Sequence, residues 1–386
     1  MGSSRAGGDL TALFGMHGRP TVPGIVDLAK GGVRGVPELE AMVRAVPPVR
    51  LFEAACSYPG TQGTLEFLDA YALVRKTEGD CHRSARQLVA THGALDGLAH
   101  ALVAFEADIA VYPLPGFDVG LAARRAGCQT APVRWQIGST VDALLDQVDE
   151  ALSGLVGRRA AVVVNFPSNP GGAFPTQPEW DRLVELTAKA GALLVADDVY
   201  RFTSSLANAH SYAGVEPNLV IVDSFSKRFG LPGLRLGVVA TSSEILLAGL
   251  RESVGRTSVG VSPVLAAVGA ELARRYVDSP RIAAATRKVL SHRRSLIVSR
   301  MADAGFAPAV DPAGLYLVIG ASSASEESDL IRMLRENHGV SLASGSVLGA
   351  RGSEPRFARL CVGSAVDPDF VGSALAETLR EMVHSR

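Results

Sequence analysis

Apolar residues fall along this chain mostly in short continuous runs and not in strict alternation. "RQLVATHGALDGLAHAL", "ADIAVYPLPGF", "AAVVVNFPSNPGG", "GALLVADDVY", "NLVIVDSFSK" and "RLGVVATS" each begin apolar and pass into a polar or glycine-rich turn. Strands buried on both faces read as unbroken Val, Ile and Leu, so this rhythm predicts a mostly parallel sheet covered by helices, an α/β unit. From about Pro280 the pattern changes. A long helical stretch, "RIAAATRKVLSHRRSLIVSRMADAGF", is followed by the strand "GLYLVIG", a helix and the strand "RFARLCVG", which predicts a smaller α+β domain. The expected division is an N-terminal segment 1–47 belonging to the small domain, a large domain 48–279, and a C-terminal small domain 280–386.

Bulk properties narrow the function classes. The chain has 386 residues, which suits about two domains. Its 38 basic and 39 acidic residues leave a formal charge of −1, which offers no electrostatic footprint for nucleic acid or an anionic membrane as partner. Cys56, Cys81, Cys128 and Cys361 form no CxxC pair and no metal-ligand spacing with the eight histidines, so they read as reduced thiols, with no metal expected. The first twenty residues are polar and glycine-rich without an apolar signal core, and no run approaches the ~18 apolar residues of a membrane span. The expected location is cytoplasmic.

In an open parallel sheet the loops and helix N-termini that hold ligands gather at the carboxyl ends of the strands. Three successive runs end in chemistry: Asn165-Phe-Pro-Ser-Asn169 after "AAVVV", Asp197-Asp198-Val-Tyr200 after "ALLVA", and Ser224-Phe-Ser226-Lys227 after "LVIVD". A fourth, "VAT", is followed by His92-Gly93-Ala94-Leu95 opening a helix, whose free N–H groups and positive dipole end suit a phosphate.

These residues resemble the class I/II aminotransferase group of fold-type I pyridoxal-phosphate enzymes. The matching elements are "NFPSNPGG" for N-x-P-x-N-P-x-G, "DDVY" for D-E-x-Y, and "SFSKRFGLPGLRLG" for S-x-S-K with G-x-x-G-x-R-x-G, supported by "YPGTQGTLEFLDAYA", "DPAGLYLVIG" and "RFARLCVG" in family order. The resemblance runs from about Asp27 to the C terminus. It implies a seven-stranded, mostly parallel sheet, the cofactor pyridoxal 5'-phosphate, and a homodimer with shared active sites. Lys227 is then the Schiff-base lysine, Asp197 the partner of the ring nitrogen, and Asn169 and Tyr200 donors to the ring's phenolic oxygen, with Phe117 stacked on the ring. Ser224, Ser226, Arg235 and the N–H groups of Gly93, Ala94 and Leu95 are expected at the phosphate, together with Tyr58 from the neighbouring subunit. Arg359 is expected to fork onto the substrate carboxylate, a geometry that lysine does not reproduce. Gly31 matches a glycine that lets the N-terminal segment close over the substrate, a place Gly32 or Gly35 could also fill.

The expected reaction is transamination between an L-amino acid and a 2-oxo acid, with Lys227 as acid and base. Other reactions at the same carbons (decarboxylase, lyase, cyclase or oxidase) form the first rival, and a non-catalytic regulator that binds the cofactor the second. Two positions depart from the family pattern: Leu95 offers only its backbone where a polar residue is common, and Asp198 stands where glutamate is usual. Ordinary structural uses also exist for these residue types, since NPGG is turn chemistry and a phenylalanine packs in cores. Arg256 reads as a solvated charge.

Overall fold

The apolar runs become strands whose alternate residues face two different cores. The structure, a computed structural model, describes residues 24–47, 51–77, 84–203, 212, 217–309, 314–351 and 354–384. The expectations for residues 1–20 and for Cys81 lie outside the described residues. In chain order the strands are β1 (Val26–Asp27), β2 (Leu88–Thr91), β3 (Ile109–Leu114), β4 (Gln129–Arg134), β5 (Ala160–Asn165), β6 (Leu193–Asp197), β7 (Leu219–Ser224), β8 (Gly237–Ala240), β9 (Tyr316–Ala321), β10 (Val340–Ser341), β11 (Ala343–Ser344) and β12 (Arg356–Cys361).

Seven of them form one sheet in the order β2-β8-β7-β6-β5-β3-β4. On β5, Ala160, Val162 and Val164 join one apolar layer while Ala161 and Val163 join the other, and β6 and β7 divide in the same way. That is why the runs show no polar alternation: helices cover both faces. All pairings are parallel except those of β8, which runs against both β2 and β7. The connection from β7 to β8 carries only two short helical turns, Phe225–Arg228 and Pro232–Leu234, too short for the crossover helix that parallel neighbours need.

The C-terminal part supplies a three-stranded antiparallel sheet, β11-β12-β9, and β1 pairs with β10, so the segment after Val26 is tied to this part by backbone hydrogen bonds. Helix Arg281–Asp303 covers the long helical stretch read from the sequence. Among the described residues no helix is long and apolar enough to cross a membrane.

Behind the central strands lies a buried ionic cluster. Arg75, on helix Leu65–Thr77, meets Asp198 at 2.9 Å and Asp223 at 3.4 Å, and Asp223 also receives Arg228 at 2.5 Å and the Tyr71 hydroxyl at 2.6 Å. Removing one partner from such a cluster leaves a buried charge uncompensated. Arg75→Met should therefore lower the unfolding free energy by about 3–5 kcal/mol, read as a reduced urea midpoint; an unchanged midpoint would show that the cluster carries no stability.

Candidate active site

Strand register decides which side chains meet. Asn165 pairs with Asp197 across β5 and β6, and Asp197 pairs with Val222 across β6 and β7, so the carboxyl ends of three parallel strands lie side by side. The Asn165 side chain then works as a brace: its Nδ2 donates to the Asp197 carbonyl at 3.0 Å and its Oδ1 accepts from the Asn169 amide at 3.1 Å. Asn169 in turn accepts from Arg359 at 2.8 Å and approaches the Tyr200 hydroxyl at 3.4 Å.

Lys227 stands on the short helix that follows β7. Its amine donates to the Gly31 carbonyl at 2.7 Å. Burial, assisted by the guanidinium groups of Arg359 and Arg235, lowers its pKa to about 8. Asp197 is only 5% exposed, and among the described residues its carboxylate receives one long contact, Val199 N–H at 3.4 Å. Burial, with the charges of Asp198 and Asp223, pushes its carboxyl up to about 7. Burial likewise holds the Tyr200 phenol well above its ordinary value.

A second cluster lies at the start of helix Ala94–Ala104. Gly93 caps it with φ 88°, and a Cβ there would come within 2.8 Å of the Arg235 guanidinium. Gly237 is needed for a similar reason, because its Cβ would strike the Gly93 backbone at 2.7 Å. These two glycines let Arg235 approach a helix N-terminus whose Ala94 and Leu95 amides have no intrahelical acceptor. Arg235 itself adopts a left-handed conformation, φ 51°, and donates to Ser226 Oγ at 3.5 Å and to the Pro232 carbonyl at 3.0 Å. Positive dipole end, guanidinium and hydroxyl thus converge, which is an anion cradle. Ser224 is occupied differently: its Oγ caps the short helix by accepting from Ser226 N–H at 3.2 Å and bonds Ser226 Oγ at 3.0 Å.

A cavity of about 410 Å³ opens at the ends of β5 and β6, lined by Phe117, Trp135, Ile137, Asn165, Asn169 and Asp197 among others. Lys227 and Arg359 stand outside that lining, where the segment around Gly31 bonds to both: Arg359 donates to the Ala29 carbonyl at 2.6 Å. Arg359 is 2% exposed, and its Nε has no hydrogen-bond partner among the described residues. Gly31 is sterically required, since a Cβ there would lie 2.2 Å from the Tyr316 hydroxyl. One expected residue is not brought here within one chain, since Tyr58 is 92% exposed; Arg256, read from the sequence as a solvated charge, pairs with Glu252 on the surface. Sequence reasoning placed Asn165 at a strand end without giving it a role and missed Tyr316, for which the signal was a tyrosine opening the strand that pairs with the strand of Arg359.

The sequence model described as "Aminotransferase class I and II" matches residues 24–376. The chain belongs to that family. One relative is 1-aminocyclopropane-1-carboxylate synthase 11 of Arabidopsis thaliana, 26% identical over 276 residues, covering 66% of this chain and 58% of that protein. Another is capreomycidine synthase of Streptomyces vinaceus, 28% identical over 338 residues, covering 84% and 82%. The chain spans about half the length of several curated relatives it matches. In fold it is similar to a double mutant of Thermus thermophilus aspartate aminotransferase, with TM-score 0.77, 19% identity and coverage of 99% and 97%.

This class I/II family chain shares the family's cofactor, pyridoxal 5'-phosphate. The residues present fit it, because a buried amine, a buried carboxyl with one weak partner, and an anion cradle closed by Gly93 are the three functions that an aldehyde, a ring nitrogen and a phosphate require. The raised pKa of Asp197 has a consequence for the cofactor-free protein. An acid whose folded-state pKa lies near 7, against about 3.9 unfolded, takes up a proton on folding, so stability falls as pH rises between those values. Asp197→Asn should accordingly be more stable than the parent at pH 8 by roughly 2–4 kcal/mol, with the advantage fading toward pH 4. Denaturant titrations at the two pH values check this, and a pH-independent difference would contradict it.

Proposed function

We propose that the chain is a pyridoxal-phosphate-dependent aminotransferase acting between an L-amino acid and a 2-oxo acid. The observation that carries this reading is the buried Lys227 amine, which donates to the Gly31 carbonyl and has its pKa lowered by burial and by the charges of Arg359 and Arg235. When bound, the cofactor supplies an electron sink that stabilises negative charge at the amino-acid Cα. The chain's own residues do the rest. Lys227 would hold the aldehyde and would move the proton at Cα as base and then acid. Asp197 holds the ring nitrogen, while Tyr200 and Asn169 donate to the phenolic oxygen and Phe117 covers the ring. Arg235, Ser226 and the amides of Gly93 to Leu95 hold the phosphate, with Ser224 shaping the turn beneath them.

Arg359 binds the substrate carboxylate through its guanidinium fork, for which the Ala29 carbonyl is exchanged. Gly31 gives that segment the room to lie on Lys227. In this reading exposed Tyr58 serves the site of a second copy, in a homodimer in the cytoplasm, and the large domain 48–279 carries the cofactor between the flanking segments 1–47 and 280–386. A second reading, a cyclising or eliminating reaction at the same carbons, is favoured by the two relatives named as synthases. Product separates them: a transaminase consumes a 2-oxo acid and returns another from its donor, whereas the alternative turns over with one amino acid.

Two outcomes test the reading. Borohydride treatment of the loaded protein should fix the cofactor on Lys227, found by peptide mass, with attachment rising as pH increases through about 8 because the amine must be neutral to react; a label elsewhere, or no label, refutes the assignment. Arg359→Lys should raise KM for the amino donor roughly 10–100-fold, the loss of one strong charge-assisted contact; an unchanged KM would place the carboxylate elsewhere.

A further inference from the structure

We propose that Tyr316 is a positioning residue of this site, its hydroxyl setting the donor strength of Tyr200 and its ring holding the guanidinium of Arg359. The inference rests on the cofactor reading above and extends it to a residue to which that reading gave no role.

Tyr316 opens β9 and pairs in register with Cys361 of β12, while Arg359 pairs with Val318, two residues further along the same face. Only 4% of Tyr316 is exposed. Its hydroxyl lies 2.9 Å from that of Tyr200, and the two rings meet edge to face at 5.5 Å. The guanidinium carbon of Arg359 stands 4.3 Å from the Tyr316 ring centroid, on the face where a cation is attracted by the ring's quadrupole. The hydroxyl and the Lys227 amine come within 2.2 and 2.7 Å of one point, the place a Cβ on Gly31 would occupy, so they are within about 5 Å of each other. One side chain therefore touches Tyr200 and Arg359 and borders Lys227.

Burial raises both phenols, Tyr316 to about 12, so both remain protonated and able to donate at neutral pH. The Tyr200 oxygen is approached by Asn169 Nδ2 at 3.4 Å and by the Tyr316 hydroxyl at 2.9 Å. When both donate into that oxygen, the Tyr200 proton is left for an acceptor in the site. A hydroxyl that accepts hydrogen bonds is a stronger donor through its own O–H, since bonds in a chain polarise one another. Phenylalanine would keep the ring under Arg359 and lose only this relay, so the two functions of Tyr316 are separable.

The test compares Tyr316→Phe and Tyr316→Leu in cofactor-loaded protein, with thermal midpoints showing that both variants fold. The pH midpoint of the bound cofactor's visible absorbance should rise by roughly half a unit in both variants, because the phenolic oxygen loses part of its stabilisation. KM for the amino donor should stay within about twofold in Tyr316→Phe and rise about tenfold in Tyr316→Leu, where the cation–ring contact is lost. A midpoint in Tyr316→Phe that matches the parent overturns the relay, and equal KM values in the two variants overturn the ring's hold on Arg359. Parent protein that fixes no cofactor under borohydride removes the underlying reading and this inference together, whereas a loaded parent with silent Tyr316 variants removes the inference alone.

Discussion

Burial of charge at the carboxyl ends of β5, β6 and β7 is the constraint on which this structure turns. An amine and a carboxyl placed in water would titrate near 10.4 and 3.9. Enclosed by the sheet, its helices and the segment after Val26, Lys227 falls to about 8 and Asp197 rises to about 7. Both shifts arise from the same cause, the desolvation of the charged form, and they move the two groups toward neutrality from opposite directions. A neutral amine is a nucleophile, and a buried acid with one weak contact is poised for a cationic partner. The chemistry of the site follows from where the strands stop.

Holding charges in that place requires compensation behind it. Asp198 and Asp223 flank Asp197 and raise its pKa further, and each is itself met by cations or phenols: Arg75 at both, Arg228 and Tyr71 at Asp223. Arg75 comes from helix Leu65–Thr77, far from these strands in sequence, so the helix that packs against the sheet also neutralises its buried acids. The arrangement couples packing to electrostatics. Moving that helix would expose or unpair carboxylates next to the site.

The segment after Val26 is held by hydrogen bonds to its backbone. The carbonyls of Ala29 and Gly31 accept from Arg359 and Lys227, and the segment is pinned on its far side by Leu28 to Cys361 and by Arg293 bridging Gly35 and Gly363. A strand pairing of two residues, β1 with β10, anchors its start. Glycine is favoured at 31 by the Tyr316 hydroxyl, and at 35 both by a φ of 60° and by the Arg293 guanidinium, 2.9 Å from where a Cβ would stand.

The sequence by itself determined the layered α/β architecture and the strand ends, because double burial writes an unbroken apolar run and a ligand-bearing turn must follow it. Its motifs, read through their resemblance to the class I/II aminotransferases, also named Asn169, Asp197, Tyr200, Lys227, Arg235 and Arg359. What it left open were contacts made between different elements: the antiparallel direction of β8, Arg75 against Asp198, Asn165 bracing Asp197, and Tyr316 against both Tyr200 and Arg359. Local pattern encodes which face a residue presents, but partners such as Asn165 and Asp197, 32 positions apart, or Arg75 and Asp198, 123 apart, are chosen by strand register and helix packing, which exist only once the chain has folded.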